Sequence, residues 1–373
     1  MIYFDNAATT KPSKKALKLA EKFNDDDFFN PSALYHGGLS NAKEIKCARE
    51  SILSNLGAVD KEVVFTSCGT ESDNTAIFGA VKRGVFVTTK GEHSAVYKSF
   101  LEIKQKGANT AFIDLNSDGT VNTDKLFDYV KTNHVDFVSV VHVNNETGGI
   151  NDINSIAKTI KSIDKKIIFH SDGVQAYGKI PFTLSKDVDL YSISAHKINA
   201  LKGTGALIKR KNLNISPLII GGGQENGLRS GTENIFGIKV FEYAGKEHYD
   251  HLKSNCDKAN EIKNAILTSL NPKFFEIISG ENSSPYILTV SAVGLRGEVV
   301  MHSLEKFGIV VGNGSACSSK NRFSRVIEAC GYKESVLDGI IRMSFSSENT
   351  LEEAIFVAEK LNETVENLRR IMY

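Results

Sequence analysis

Through the first two-thirds of the chain, short apolar runs rich in β-branched residues alternate with longer stretches in which apolar positions recur every three to four residues. The runs fall at 63–66, 85–89, 110–114, 136–143, 166–170, 189–194 and 205–209, and the helical period holds over 71–82, 95–106, 124–132 and 153–162. Such alternation predicts an α/β fold: a mainly parallel seven-stranded sheet with helices on both faces and ligands bound at the carboxyl ends of its strands. After about residue 245 the pattern changes. A long polar–apolar helix through 270 is followed by extended runs at 274–279 and 286–291, a helix from 297 and a helical tail from 351. This predicts a second, smaller α+β domain, and 373 residues exceed what one hydrophobic core usually serves.

Charge and cysteine usage narrow the function classes. With 45 Lys+Arg against 44 Asp+Glu the net charge is +1, so no basic field for nucleic acid exists. No apolar stretch has the length of a membrane span, and Met1–Asn6 lacks a basic region followed by an apolar one, which predicts a soluble cytoplasmic protein. Cys47, Cys68, Cys256, Cys317 and Cys330 are scattered, without CxxC or zinc-type spacing, so reduced thiols are expected. Cys47, Cys256 and Cys330 lie within helical patterns and fit buried structural thiols.

Chemistry is to be sought where the predicted strands end. Ser192-Ile193-Ser194-Ala195-His196-Lys197 sets a lysine in a strand-end loop, where it can form an imine with an aldehyde cofactor while neighbouring hydroxyl and imidazole groups bind a phosphate; taken alone, the reading as a solvated surface lysine would normally win. In His170-Ser171-Asp172-Gly173-Val174-Gln175, Asp172 can pair with a protonated pyridine nitrogen and Gln175 can reach a phenolic oxygen, or Asp172 can simply cap a turn. Thr66-Ser67-Cys68-Gly69-Thr70-Glu71-Ser72-Asp73-Asn74 passes from strand to helix start, an anion site or an ordinary cap. No Lys-Ser/Thr ending or GxGxxG motif makes it a nucleotide loop. His93 after its strand can stack on an aromatic ring and move protons. Cys317, in Gly312-Asn313-Gly314-Ser315-Ala316-Cys317-Ser318-Ser319, has a composition unsuited to a buried thiol. Arg342 is a charge inside an apolar run; a substrate carboxylate and a structural ion pair both account for it.

In this order the segments closely resemble cysteine desulfurases, class V members of the fold-type I aminotransferase superfamily that use pyridoxal 5′-phosphate. The likeness runs through Tyr3-Phe4-Asp5-Asn6-Ala7-Ala8-Thr9-Thr10, Asn30-Pro31-Ser32, Thr70-Glu71-Ser72-Asp73-Asn74, Asn144-Asn145-Glu146-Thr147-Gly148 and Ser194-Ala195-His196-Lys197. It continues in Gly221-Gly222-Gly223-Gln224-Glu225, Arg229-Ser230-Gly231-Thr232-Glu233-Asn234, Ser315-Ala316-Cys317 and Ile341-Arg342. The resemblance implies a large cofactor domain over 13–245 and a small domain from 1–12 and 246–373 that carries the Cys317 loop. It implies that Lys197 binds the cofactor covalently, Asp172 holds the ring nitrogen, His93 stacks on the ring, and Asn145 and Gln175 lie near the phenolic oxygen. Gly69, Thr70, Ser194 and His196 would hold the phosphate, with Thr232 reaching it from the other subunit of a homodimer. Arg342 and Asn30 would grip the carboxylate of L-cysteine. Cys317 would take the substrate sulfur as a persulfide, releasing L-alanine and passing sulfur to an iron–sulfur scaffold or sulfur-carrier protein. A selenocysteine lyase or another class V aminotransferase is the alternative. Three departures stand out: Cys68-Gly69 where the family usually has small residues, Asp172-Gly173 where it has Asp-Ala, and Ala200-Leu201-Lys202-Gly203 where it has Gly-Pro-Lys-Gly.

Overall fold

All seven apolar runs enter one sheet. The computed structural model describes residues 1–80, 83–313 and 322–372. Its strands, in chain order, are β1 (Ile2–Phe4), β2 (Lys61–Thr66), β3 (Val85–Thr89), β4 (Asn109–Ile113), β5 (Phe137–Ser139), β6 (Ile168–Asp172), β7 (Leu190–Ser194), β8 (Gly205–Arg210), β9 (Phe275–Ile277), β10 (Ile287–Ala292), β11 (Ile309–Val311) and β12 (Ile340–Ser344). The large sheet has the order β2-β8-β7-β6-β5-β3-β4. Every neighbouring pair is parallel except those made by β8, which runs antiparallel to both β2 and β7.

Side-chain alternation along these strands divides the sheet into two buried faces. Val63, Phe65, Val87, Val138, Tyr191, Ala206 and Ile208 pack on one side with the helices His36–Leu56 and Ile235–Asp250. Their neighbours Val64, Phe86, Phe137, Leu190 and Leu207 pack on the other with the helices Gly69–Ala80 and Ser94–Gln105. Because both faces are covered, all five residues of β7 are buried, Ser192 and Ser194 included.

Two smaller sheets, β12-β10-β9 and β1-β11, share a separate core with the helices Leu252–Ser269, Gly297–Glu305 and Leu351–Met372. The first strand of the chain therefore lies against its late segments: Ile2 to Phe4 pair in parallel with Ile309 to Val311, and Asp5 bridges Ser344. Beyond Asp5 the chain crosses to the large sheet, where Thr10 N donates to His196 O at 2.9 Å and Ser13 N to Asn199 O at 2.7 Å.

Three sequence expectations change. The helix His36–Leu56 has no counterpart among the periodic stretches, because its buried stripe, Gly38, Asn41, Ile45, Ala48, Ile52 and Leu56, is narrow and partly polar. The run 136–143 leaves the regular ladder after Ser139. Val140 N and His142 N still donate to His170 O and Asp172 O, but Asn144 Oδ1 accepts from Glu146 N and Thr147 N and turns the chain back. Cys47 is exposed on the outer side of its helix, whereas Cys256 and Cys330 are buried as expected. Among the described residues no helix is long and apolar enough to cross a membrane.

The glycine after Asp172 has a steric reason. A Cβ at Gly173 would lie 1.9 Å from Tyr191 Cζ, and Tyr191 is fully buried with its hydroxyl 2.8 Å from His142 Nδ1. A bulky ring at 191 thus requires glycine at 173. Gly173→Ala is expected to destabilise the protein by about 1–3 kcal/mol in urea unfolding. In a Tyr191→Leu background the same change should cost markedly less, the signature of direct contact.

Candidate active site

At the carboxyl ends of β2, β3, β6 and β7 the chain leaves the sheet in four turns, and these open on one cavity of about 770 Å³. From the turn after β2 come Cys68, Gly69 and Thr70, from that after β3 Glu92 and His93, from β6 Asp172 followed by Gln175, and from β7 Ser194, His196 and Lys197. Asn145, Glu146 and Arg342 complete the wall, together with Ala7 and Ala8 of the N-terminal segment. Of the residues singled out in the sequence, Lys197, His93, Asp172, Gln175, Asn145, Gly69, Thr70, Ser194, His196 and Arg342 therefore share this cavity.

Three do not join them. Asn30 is exposed, and its Oδ1 accepts from Ser32 N at 2.9 Å in a local turn. Thr232 is exposed beside a different, small cavity of about 110 Å³ lined also by Thr66, Gly203 and Thr204. Cys317 lies outside the described residues.

Lys197 sits in the short helical turn Ala195–Lys197, and its ammonium donates to Ala7 O at 2.6 Å and Ala8 O at 2.8 Å. These acceptors are backbone carbonyls, so the YFDNAATT segment serves the reactive lysine through its main chain. Gln175 Nε2 donates to the same Ala7 carbonyl at 2.9 Å.

Asp172 is buried, with Oδ1 accepting Val174 N at 2.9 Å. Burial raises its pKa, while His93 and Lys197 nearby pull it back down. Asp73, one turn into the helix after β2, is also buried; burial and the charge of Asp172 hold its pKa well above the usual carboxylate range. His170 does not neutralise Asp73: burial pushes its pKa down to about 3, and its ring nitrogens face Ser139 Oγ and Ser192 Oγ at 2.9 and 3.0 Å. His93 Nδ1 accepts from Ala95 N at 3.2 Å and caps the helix Ser94–Gln105, so a neutral ring carries its proton on Nε2. Burial lowers the His93 pKa against the opposing pull of Asp172. The capping and catalytic readings of His93 are therefore compatible, since capping uses only one nitrogen.

Arg342 lies mid-strand in β12, paired across to Thr289 of β10. Nη2 donates to Asp5 Oδ1 at 2.8 Å and Nη1 to Asn145 O at 2.9 Å, while Nε is buried without a protein partner. The ion-pair reading of the sequence thus holds, and the guanidinium still borders the cavity.

These residues fit pyridoxal 5′-phosphate. Ser194 Oγ is buried with no protein partner and stands beside Gly69, where a Cβ would meet Val174 Cγ2 at 2.8 Å and Ser194 Cβ at 3.4 Å. Hydroxyls and the start of a 12-residue helix there suit a phosphate. Buried carboxyls across the cavity suit a protonated ring nitrogen, and an amine suits an aldehyde.

Sequence reasoning missed Glu92 and Arg325. Arg325 stacks on Tyr97 at 3.8 Å, donates to Glu92 O at 2.5 Å and to Lys90 O, and so ties the segment after residue 321 to the His93 turn. Neither carries a motif signal, because one serves through its backbone carbonyl and the other is a charge in a polar stretch.

Glu92 is fully buried, with Oε1 accepting from Thr89 Oγ1 at 2.7 Å and Val141 N at 3.0 Å. Burial raises its pKa to about 8 despite those two hydrogen bonds. A carboxyl that holds its proton when folded and loses it near 4.5 when unfolded makes folding less favourable as pH rises. Its contribution is full below about pH 4.5 and is lost progressively up to about pH 8. In denaturant titrations between pH 5 and 8, Glu92→Gln should gain stability relative to the wild type as pH rises, by on the order of a few kcal/mol across the window.

The sequence model of the family described as aminotransferase class-V matches residues 2–355. A cysteine desulfurase of Nostoc sp. is 35% identical over 381 aligned residues, covering 100% of this chain and 94% of that protein. A solved NifS-like protein superposes with a TM-score of 0.91 at 32% identity, covering 98% of this chain and 99% of the other. The structure titled SspA in complex with cysteine superposes at 0.81 with 28% identity, over 93% of this chain and 99% of that one.

Proposed function

Because the chain belongs to the aminotransferase class-V family, we propose that it is a cysteine desulfurase that converts L-cysteine to L-alanine and carries the sulfur as a persulfide on Cys317. The observation that carries this reading is the convergence of Lys197, Asp172, His93 and Arg342 on one cavity at the strand ends. The desulfurase relative matching along the whole chain, and the cysteine complex among similar structures, support it.

Pyridoxal 5′-phosphate supplies an electron sink that weakens bonds at the substrate's α and β carbons. Lys197 is the group to bind its aldehyde and, once displaced by substrate, to move protons at the α carbon. Asp172 would hold the ring nitrogen protonated with its buried carboxylate. His93 would cover the ring, Asn145 and Gln175 would address its phenolic oxygen, and Gly69, Thr70, Ser194 and His196 would take the phosphate. Burial, with Lys197 and Lys179 nearby, pushes the His196 pKa down to about 4, so it binds as a neutral donor. Arg342 orients the substrate carboxylate. The Cys317 thiolate attacks the substrate sulfur; the carbon–sulfur bond breaks, a sulfur–sulfur bond forms, and the three-carbon product is protonated and leaves as alanine. An iron–sulfur scaffold or sulfur-carrier protein then takes the persulfide sulfur.

A homodimer completes the reading. Asn30 and Thr232 lie away from the cavity of their own chain, and exposed Phe28, Leu34, Tyr35 and Ile220 neighbour those loops in sequence. Apolar side chains left open in this way suit a second copy. The four described cysteines are unpaired, in keeping with a reducing cytoplasm.

Incubation of the cofactor-loaded protein with L-cysteine and a reductant should release sulfide and alanine in equal amounts. Cys317→Ala should lower both by at least roughly 100-fold with the cofactor spectrum intact. Arg342→Lys, which loses the guanidinium fork, should raise KM about tenfold or more with a smaller effect on kcat. Alanine formation that survives in Cys317→Ala would reject the persulfide route.

A further inference from the structure

Behind the cavity wall, and not bordering the cavity, lies Lys179. It is 4% exposed, and among the described residues no carboxylate pairs with it. Its Nζ donates to Gln175 Oε1 at 2.8 Å. The other end of that amide, Nε2, donates to Ala7 O at 2.9 Å, and Ala7 O accepts from Lys197 Nζ at 2.6 Å. A continuous polar chain therefore runs from Lys179 through Gln175 and the Ala7 carbonyl to the reactive lysine.

The chemistry of its members gives that chain a direction. The two ends of a primary amide are almost the same size but opposite in hydrogen-bonding sense. An amine on one side and a carbonyl on the other tell them apart: a flipped amide would set N–H groups against Lys179 and oxygen against oxygen at Ala7. With Nε2 forward, one of its protons serves Ala7 and the second is available to the cavity that Gln175 borders. A buried amide facing the wrong partners on both sides forfeits two hydrogen bonds, so the preference is strong.

We propose that Lys179 is a positioning residue for the cofactor site: it locks the Gln175 amide so that Gln175 always donates, both to the Ala7 carbonyl that holds Lys197 and to an oxygen acceptor on the bound cofactor. The inference rests on the cofactor reading above. Lys179 is fixed in turn by its own backbone, whose carbonyl accepts from Cys256 Sγ at 2.9 Å. Burial pushes the Lys179 pKa down to about 7, with Lys197 and Arg342 adding to the effect, and an amine in either protonation state still offers N–H to Oε1. Among the described residues, the charged and titratable groups around the two lysines include Asp172, His93, His196, Lys202, His248, Arg342 and the Cys256 thiol.

A donor held against the cofactor's phenolic oxygen stabilises the deprotonated form of the bound chromophore, and a nearby cation acts the same way. Loss of either should raise the pH at which the loaded enzyme's absorbance changes. The test is a spectrophotometric pH titration of the loaded wild type, Lys179→Met and Lys179→Arg, with thermal melting of each. Lys179→Met should move the midpoint up by about one unit, tenfold in proton affinity, and Lys179→Arg, which keeps donors, should restore it to within about 0.3 unit. A midpoint unchanged in Lys179→Met, with only the melting temperature altered, would show a purely structural role and overturn the proposal. Should Lys179→Met not fold, Gln175→Glu replaces it, since an oxygen at both amide positions removes the forward donor; an unshifted midpoint there overturns the proposal equally. A wild type with no cofactor absorbance would instead reject the functional reading itself, so the two failures are distinct.

Discussion

The site depends on how the segment from Asn6 to Ser13 is held. Its carbonyls at Ala7 and Ala8 receive the Lys197 ammonium, its Thr10 pairs with His196, and its Ser13 pairs with Asn199. At its other end Asn6 Nδ2 donates to Ser344 O, and Ser344 Oγ accepts from Ala7 N. Every one of these bonds uses a backbone group on at least one side, so their geometry follows from the path of the chain. That path joins the strand bearing Arg342 to the turn bearing Lys197. The Arg342 guanidinium and the Lys197 amine are thereby set relative to each other by a single strip of main chain.

Electrostatically the cavity is a set of buried groups that suit a ligand better than they suit one another. Asp73, Glu92 and Asp172 have pKa values raised by burial, while His93 and His196 have theirs lowered. Each shift resists the charged form, which is unfavourable for a folded protein alone and useful for one that binds a dipolar ring with a positive nitrogen and a negative phosphate. Arg342 by contrast keeps a full ion pair there, with Asp5. That pairing explains how a guanidinium can stand mid-strand in an apolar run without destabilising it.

Much of this was legible in the sequence, for a definite reason. The side chains proposed to face the cofactor follow short β-branched runs, and the existence of such runs is what hydrophobic periodicity marks best. Asp172, Lys197, His93 and the Gly69–Thr70 turn accordingly stand out by position alone, and they line a common cavity. What escaped shares another physical character. Ala7 and Ala8 act through carbonyls, which have no side-chain signature. Lys179 is buried behind the cavity wall, whereas a lysine in a sequence reads as surface. The helix His36–Leu56 was missed because its buried face includes Gly38 and Asn41, and Cys47 was misread because a helical pattern alone does not say which side of the helix is wet. Asn30 and Thr232 were named by resemblance, and a single chain gives them no part in its own cavity.

The pairing of β1 with β11 has a consequence for synthesis on the ribosome. Ile2 must wait for Ile309, about 300 residues later, before its strand finds a neighbour. At about 5–20 residues per second that delay is roughly 15–60 s. Throughout it Phe4, which ends fully buried, is exposed to solvent and to chaperones, while the large sheet can already have formed behind it. The N-terminal strip can dock only once β11 exists, and since that strip supplies the carbonyls for Lys197, the finished cofactor site depends on residues made about 300 positions later.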